Sequence, residues 1–398
     1  MKVDFSTNVK KFIEEDIFQK YNSRKDEVFK KLNNDSMNGW MMPPIDYLDD
    51  IYRVRDRVKN NSKCLVVVGI GGSFLGAKAF YDLFTPYFKD SFKIIFAGTT
   101  LSSRYLSELI DYLKDVDFSL NVISKSGTTM ETTITYSAIR KLMEEKYSIE
   151  ELKERIIMTT DPVKGKLREE VNKVGYDSFV IPDNIGGRYS LLTAAHLLPL
   201  SFVLDIEELI KGYMEGLKLK EEAFLYAVTR RSLFDLGFVA ENYVGYDEKW
   251  SSYLEWIKQL FGETEGKDGK GLLPASMIHT RDLHSLGQFV QDGNKILFET
   301  FIKVDKTPSL IVNDKDLSEV NLLVEDAVIA AHVLGLVPCN ILSIKEVNVE
   351  EVGKLSAFMC LAAAFSGFLF DINPFNQPGV EIYKQEVRNR LGQNNENK

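Results

Sequence analysis

Histidine and cysteine are scarce in this chain, with four and three among 398 residues. The cysteines, Cys64, Cys339 and Cys360, are odd in number and far apart, and each stands in an apolar stretch. Without a CxxC spacing they signal neither a zinc site nor a disulfide framework, and they read as reduced, buried thiols of a cytosolic protein. No HExxH motif occurs, so a histidine-built metal site has no support and none is expected. No uncharged apolar run reaches the length of about 18 residues that a membrane span needs. The longest apolar run, residues 355–370, is interrupted by Ser356 and Ser366 and reads as a buried helix. The opening residues MKVDFSTNVKKF lack the apolar core of a secretory signal, which points to a cytoplasmic location. An excess of basic charge is missing too. The net charge of −9 is opposite in sign to a nucleic-acid footprint. What is present is 44% hydrophobic residues, an ordinary supply for a folded core. The length exceeds what one core organises and points to two or three domains.

Residues 1–60 are polar and charged with helical spacing, which predicts an N-terminal helical arm over residues 1–50. The continuous β-branched run at 65–68 then reads as a buried parallel strand. Residues 69–72 turn the chain, and residues 74–84 have helical spacing. FKIIFAG (92–98), FSLNVIS (118–124), RIIMTT (155–160) and DSFVIP (177–182) are further strand candidates. Helical segments around 103–114, 128–146 and 163–174 separate them. This alternation predicts a doubly wound parallel sheet, whose ligands bind beyond the carboxyl ends of the strands. Residues 190–262 read as mainly helical. Strands return at ILFETFIKV (296–304) and NILSIKEV (340–347), with helices at 317–335 and 350–370, which predicts a second α/β unit. The polar end of the chain, 385–398, reads as a frayed tail.

Five loops carry candidate chemistry. In GIGGSFLG, Phe74 stands where a dinucleotide fingerprint needs its last glycine, and Ala77 stands where a Walker loop needs lysine. Gly98, Thr99 and Thr100 follow the second strand, where the acidic residue of a dinucleotide site is expected. A glycine-rich turn remains. Gly71, Gly72 and Ser73 can bring backbone N–H groups and a helix N-terminus to an anion; a tight turn with Ser73 as a helix cap explains them equally well. SKSGTTMET places Ser124, Ser126, Thr128 and Thr129 after another strand. Thr128 and Glu131 have capping-box spacing, which accounts for part of the cluster. Two hydroxyl-rich βα turns on neighbouring strands make a small phosphate pocket. No Walker lysine or magnesium-binding aspartate is present, so a phosphoester fits better than a nucleotide. DNIGGRYSLLTAAHLLPL sets Arg188 before an apolar helix, where it could stabilise an oxyanion or simply be salt-bridged. FGETEGKDGKGLLPAS places Glu263 and Glu265 in a glycine-rich loop, followed by His284 in DLHSLGQF. GFLFDINPFNQPGVEIYK carries Gln377 and Lys384 past a turn that breaks an apolar helix.

These five segments, in this order from about Leu65 to Lys384, resemble the glucose-6-phosphate isomerase family. DNIGGRYSLLTAA and GFLFDINPFNQPGVEIYK are its most specific parts. One departure is His196, where the family usually has a small residue. The resemblance implies two flavodoxin-like sugar-isomerase (SIS) domains, each a mainly parallel sheet flanked by helices, at 51–187 and 188–384. It implies interconversion of glucose 6-phosphate and fructose 6-phosphate without metal or organic cofactor. Carried onto matching positions, Gly72, Ser73, Ser124, Lys125, Ser126 and Thr129 would hold the phosphate. Glu263 would move the proton between C1 and C2, an assignment over Glu265 that depends on aligning GETEGK with the family pattern. Arg188 would stabilise the enediolate, His284 and Lys384 would assist ring opening, Gln377 would line the sugar, and Glu131 would orient the histidine. The resemblance also implies a homodimer in which His284 reaches the partner's site. The competing readings are a non-catalytic sugar-phosphate sensor and an isomerase that also accepts mannose 6-phosphate. The first predicts loss of the acid/base residues, which this chain retains.

Overall fold

CLVVV is a run that only a strand covered on both faces can bury, and all five residues are buried. In the computed structural model, which describes residues 1–4 and 8–391, this run is the second strand. Strands are numbered along the chain from β1 (Lys2–Asp4). The first sheet comprises β2 (Cys64–Val68), β3 (Lys93–Ala97), β4 (Phe118–Ile123), β5 (Ile156–Thr160) and β6 (Asp177–Val180), ordered β3-β2-β4-β5-β6. Every pairing in it is parallel. The connections after β2 and β4 leave toward opposite sides of the strand order, so a crevice opens between their carboxyl ends. This half follows the expected alternation strand by strand.

The second sheet is built from β7 (Ala240–Gly245), β8 (Leu273–Ile278), β9 (Leu297–Lys306) and β12 (Cys339–Glu346). A two-stranded hairpin, β10 (Ile311–Val312) and β11 (Lys315–Asp316), stands outside it. The order is β1-β12-β9-β7-β8, parallel except at β1, which pairs antiparallel to β12. Three features differ from the sequence reading. Residues 1–60 do contain helices, at Glu15–Asn22, Lys25–Asn34 and Leu48–Asn61, but the chain begins as an edge strand of the distant sheet. The stretch read as mainly helical contains β7, whose buried Glu241 and Asn242 hide an apolar pattern. β8 begins in the segment read as a loop; its Pro274 is tolerated because β8 is an edge strand.

The helix Val349–Leu369 is the centre of the molecule. It is apolar enough to cross a membrane by length and composition, but 94% of its most apolar window is buried inside the protein. It packs against Ile206–Gly216 and Lys220–Asp235. Of the expected tail 385–398, residues up to Arg390 continue the helix Pro378–Arg390, and residues 392–398 lie outside the described residues.

Candidate active site

The two hydroxyl-rich loops flank the crevice of the first sheet, because they follow the adjacent strands β2 and β4. After β2, Gly71 (φ 57°) starts a 3-10 turn through Ser73 that leads into the helix Leu75–Phe84. Gly72 lies directly on the backbone of the arginine loop. A Cβ at Gly72 would sit 2.3 Å from the Gly187 carbonyl carbon, so only glycine permits this approach. After β4, Ser124 is buried and its Oγ accepts from the Gly127 N–H at 3.1 Å. Ser126 Oγ accepts from the Thr128 N–H and hydroxyl. Lys125 is ion-paired with Asp183 at 2.7 Å. The helix that follows, Met130–Lys146, is capped at Thr129 rather than Thr128, without a side-chain cap, so the expected Thr128–Glu131 capping box does not form.

Glu263 and Glu265 are not in a glycine-rich loop. They occupy the last turn of the helix Ser251–Glu265, and the glycine-rich segment starts only at Gly266. Successive helical residues diverge by about 100°, so their environments differ. Glu265 is completely buried; both its oxygens face the Arg230 guanidinium, and it accepts from the Leu272 N–H at 3.2 Å. Thr264 is also buried and accepts from Arg188 Nε at 2.9 Å. Glu263 alone keeps solvent access, at 29% of its side chain. Its Oε2 accepts from Arg188 Nη1 at 3.3 Å and from Gln377 Nε2 at 2.5 Å, and its Oε1 from Gln259 Nε2 at 3.1 Å.

Arg188 is 1% exposed, and its guanidinium is spread over this site. Besides Thr264 and Glu263 it donates through Nη2 to the carbonyls of Pro374 and Asn376. Lys267, one turn past Glu263, donates to the Asn373 carbonyl at 2.5 Å. Burial first, and Arg188 second, lower its ammonium to about 8. Two cations thus grip the carbonyls of the 373–376 turn, and that turn delivers Gln377 to Glu263.

The structure therefore brings Glu263, Arg188 and Gln377 together, with the Gly72 loop touching the arginine loop. Three further candidates, His284, Lys384 and Glu131, make no hydrogen bond to this group among the described residues. His284 is exposed at the end of the 3-10 turn Arg281–His284. Lys384 lies in the second turn of Pro378–Arg390, paired with Glu381 at 2.8 Å. Glu131 lies in the first turn of Met130–Lys146. Among the described residues no hydrogen bond joins these three to Glu263. The sequence reading missed Gln259, Thr264 and Lys267. Gln259 stands four residues before Glu263, the spacing that places side chains along one helix face, and that spacing was the available signal for it; Lys267 lies past the helix end at Gly266 and had none.

The family described as phosphoglucose isomerase matches residues 56–309. A curated glucose-6-phosphate isomerase of Staphylococcus aureus (strain bovine RF122 / ET3-1) is 43% identical over 383 residues, spanning 89% of this chain and 86% of the relative. Among solved structures, a hypothetical protein from Thermus thermophilus superposes with a TM-score of 0.84 at 24% identity, covering 98% of this chain and all of that one. A glucose-6-phosphate isomerase from Chlamydia trachomatis superposes with a TM-score of 0.73 at 20% identity, covering 98% of this chain and 81% of that chain. These two structures share the fold.

Proposed function

The chain belongs to the phosphoglucose isomerase family, and we propose that it isomerises glucose 6-phosphate and fructose 6-phosphate with Glu263 as the proton carrier. The observation that carries this assignment is the contrast at one helix end: Glu263 is open to solvent and faces a guanidinium, whereas Glu265 is sealed against Arg230. An aldose–ketose exchange moves one proton between adjacent carbons. The Glu263 carboxylate takes it from C2 of the open-chain aldose, the C–H electron pair forms the C1–C2 double bond, and the C1 carbonyl oxygen gains negative charge. The hydroxyl proton of O2 then passes to O1, and return of the carbon-bound proton to C1, with the O2 electron pair forming the C2 carbonyl, gives the ketose. Arg188 holds a fixed positive charge beside Glu263 in a buried setting, where such charge is most effective. Gln377 is placed to orient both the carboxylate and the sugar. Gly72, Ser73, Ser124, Lys125, Ser126 and Thr129 hold the phosphate at the crevice of the first sheet. That remote binding fixes the reacting carbons against the base.

His284 and Lys384 serve ring opening, and Glu131 orients the histidine. His284 is exposed at the surface of one chain and has no hydrogen bond to Glu263 among the described residues, which is compatible with a homodimer whose partner subunit supplies the histidine. The two sugar-isomerase units are taken as residues 51–187 and 188–384, in the cytoplasm. The retained Glu263–Arg188 pair disfavours a binding-only sensor, and no observation favours a mannose 6-phosphate activity.

Turnover of fructose 6-phosphate by Glu263→Gln and Glu265→Gln tests the reading, alongside binding of a phosphosugar inhibitor. Glu263→Gln is expected to lose ~10²–10⁴-fold or more in kcat while still binding the inhibitor. Glu265→Gln is expected to lose stability first. A fully active Glu263→Gln enzyme overturns the assignment.

A further inference from the structure

The helix Leu75–Phe84 starts at Phe74 with no side chain of its own to cap it. Its first-turn N–H groups need partners, and one partner comes from far along the chain. The Ala77 N–H donates to His196 Nδ1 at 3.0 Å. Since Nδ1 accepts, the ring proton is on Nε2, which lies 2.8 Å from the Gly72 carbonyl and donates to it. Ser190 Oγ stands 3.1 Å from the same nitrogen and donates to the Gly187 carbonyl at 2.6 Å. One imidazole, 1% exposed, therefore bridges the glycine loop after β2, the start of its helix and the arginine loop.

The bond to Gly72 has a geometric consequence. In a trans peptide the C=O and the following N–H point to opposite sides. The Gly72 C=O accepts from His196 at 2.8 Å, with Ser190 Oγ a second, longer donor at 3.2 Å, on one side, and the Ser73 N–H is held by the Ile70 carbonyl at 3.1 Å on the other. The Gly72–Ser73 peptide plane is pinned from both sides, and with it the direction in which Ser73 leaves the backbone. We propose that His196 is a positioning residue for phosphate binding, holding the Gly72–Ser73 peptide so that Ser73 faces the substrate phosphate. The inference rests on the reading of this loop as a phosphate site. Burial keeps the ring neutral, lowering it to about 4, as a ring that accepts at Nδ1 requires.

Kinetics with fructose 6-phosphate and competition by inorganic phosphate test the proposal. His196→Gln retains an N–H near the Nε2 position, whereas His196→Asn retains only an acceptor near Nδ1. The Asn variant is expected to raise both KM and the phosphate Ki about tenfold while kcat stays within about threefold. The Gln variant is expected to remain within about threefold of the parent in all three. Equal losses in the two variants, or losses confined to kcat or to the thermal midpoint, overturn the proposal. Ser73→Ala separates it from the underlying reading. If Ser73→Ala leaves KM unchanged, the loop does not hold phosphate and both fall. If Ser73→Ala raises KM and His196→Asn does not, the positioning role alone falls. The unmodified enzyme supplies an arm that needs no variant to fold. Nitrogen-15 NMR of its four histidines is expected to show His196 neutral and protonated at Nε2 at pH 7. An Nδ1-protonated ring or an imidazolium overturns the proposal.

Discussion

Glu263, Thr264 and Glu265 are consecutive, yet one faces solvent, one supports Arg188 and one neutralises Arg230. Arg230 is wholly enclosed; it also binds Glu241 and donates to Ser366 Oγ. Removing it leaves two carboxylates buried without their cation, the costly half of any buried ion pair. Arg230→Met is accordingly expected to destabilise the fold by about 3–5 kcal/mol or more, read as a lower urea midpoint with an unchanged m-value. Retained stability would mean that the two carboxyl groups find other partners. His196 makes stability depend on pH. Its ring titrates at about 4 when folded and at about 6.5 when unfolded, so the unfolded chain binds more protons between those values. Stability should therefore fall as pH drops from about 6.5 toward 4, by about 2 kcal/mol at pH 5 from this group alone. Comparing urea midpoints of the parent and His196→Gln at pH 7.5 and 5 isolates the contribution. Identical pH slopes would contradict it.

Loops and strands, rather than single side chains, decide how the site is assembled. The contact of Gly72 with Gly187 joins the phosphate loop to the arginine loop by backbone alone. Gly72→Ala is expected to force them apart and lower kcat/KM at least about tenfold by misplacing Arg188 and Ser73, with an unchanged far-UV spectrum. Parental kinetics in that variant would mean the loops do not depend on this contact. The first sheet was legible because its strands are short apolar runs separated by helical spacing, as at CLVVV. β7 was not, because Glu241 and Asn242 sit at core positions and only the folded structure shows Arg230 answering the glutamate. β8 was masked by Pro274, and β1 by its three-residue length. For the site, motif resemblance placed Glu263 and Arg188 on loops of interest. It could not show that the helix runs on through Glu265, because Gly262 reads as a breaker and the packing that holds the last turn is tertiary. Gln259 escaped for the same reason, and Lys267 because its partner, the Asn373 carbonyl, is distant in sequence.

At the scale of the whole molecule, whether His284 serves the Glu263 of its own chain or of a partner decides what a mixed assembly can do. Glu263→Gln and His284→Ala subunits, each expected to be nearly inactive, are to be unfolded together and refolded as a mixture. If His284 serves the opposite subunit, half the dimers are mixed and each has one intact site, so about a quarter of parental activity returns. No recovery, with mixed dimers verified by mass, would place both residues in one chain. The edge strand β1 adds a constraint of time. Lys2 pairs with Ser343, so β1 closes the sheet against a strand made much later in synthesis. At roughly 5–20 residues per second, β1 waits roughly 20 to 70 s for that strand. The first sheet, by contrast, is complete once Val180 has emerged. During translation the molecule is thus a finished half carrying an unclaimed strand, and any factor that shields a nascent chain has that interval in which to hold it.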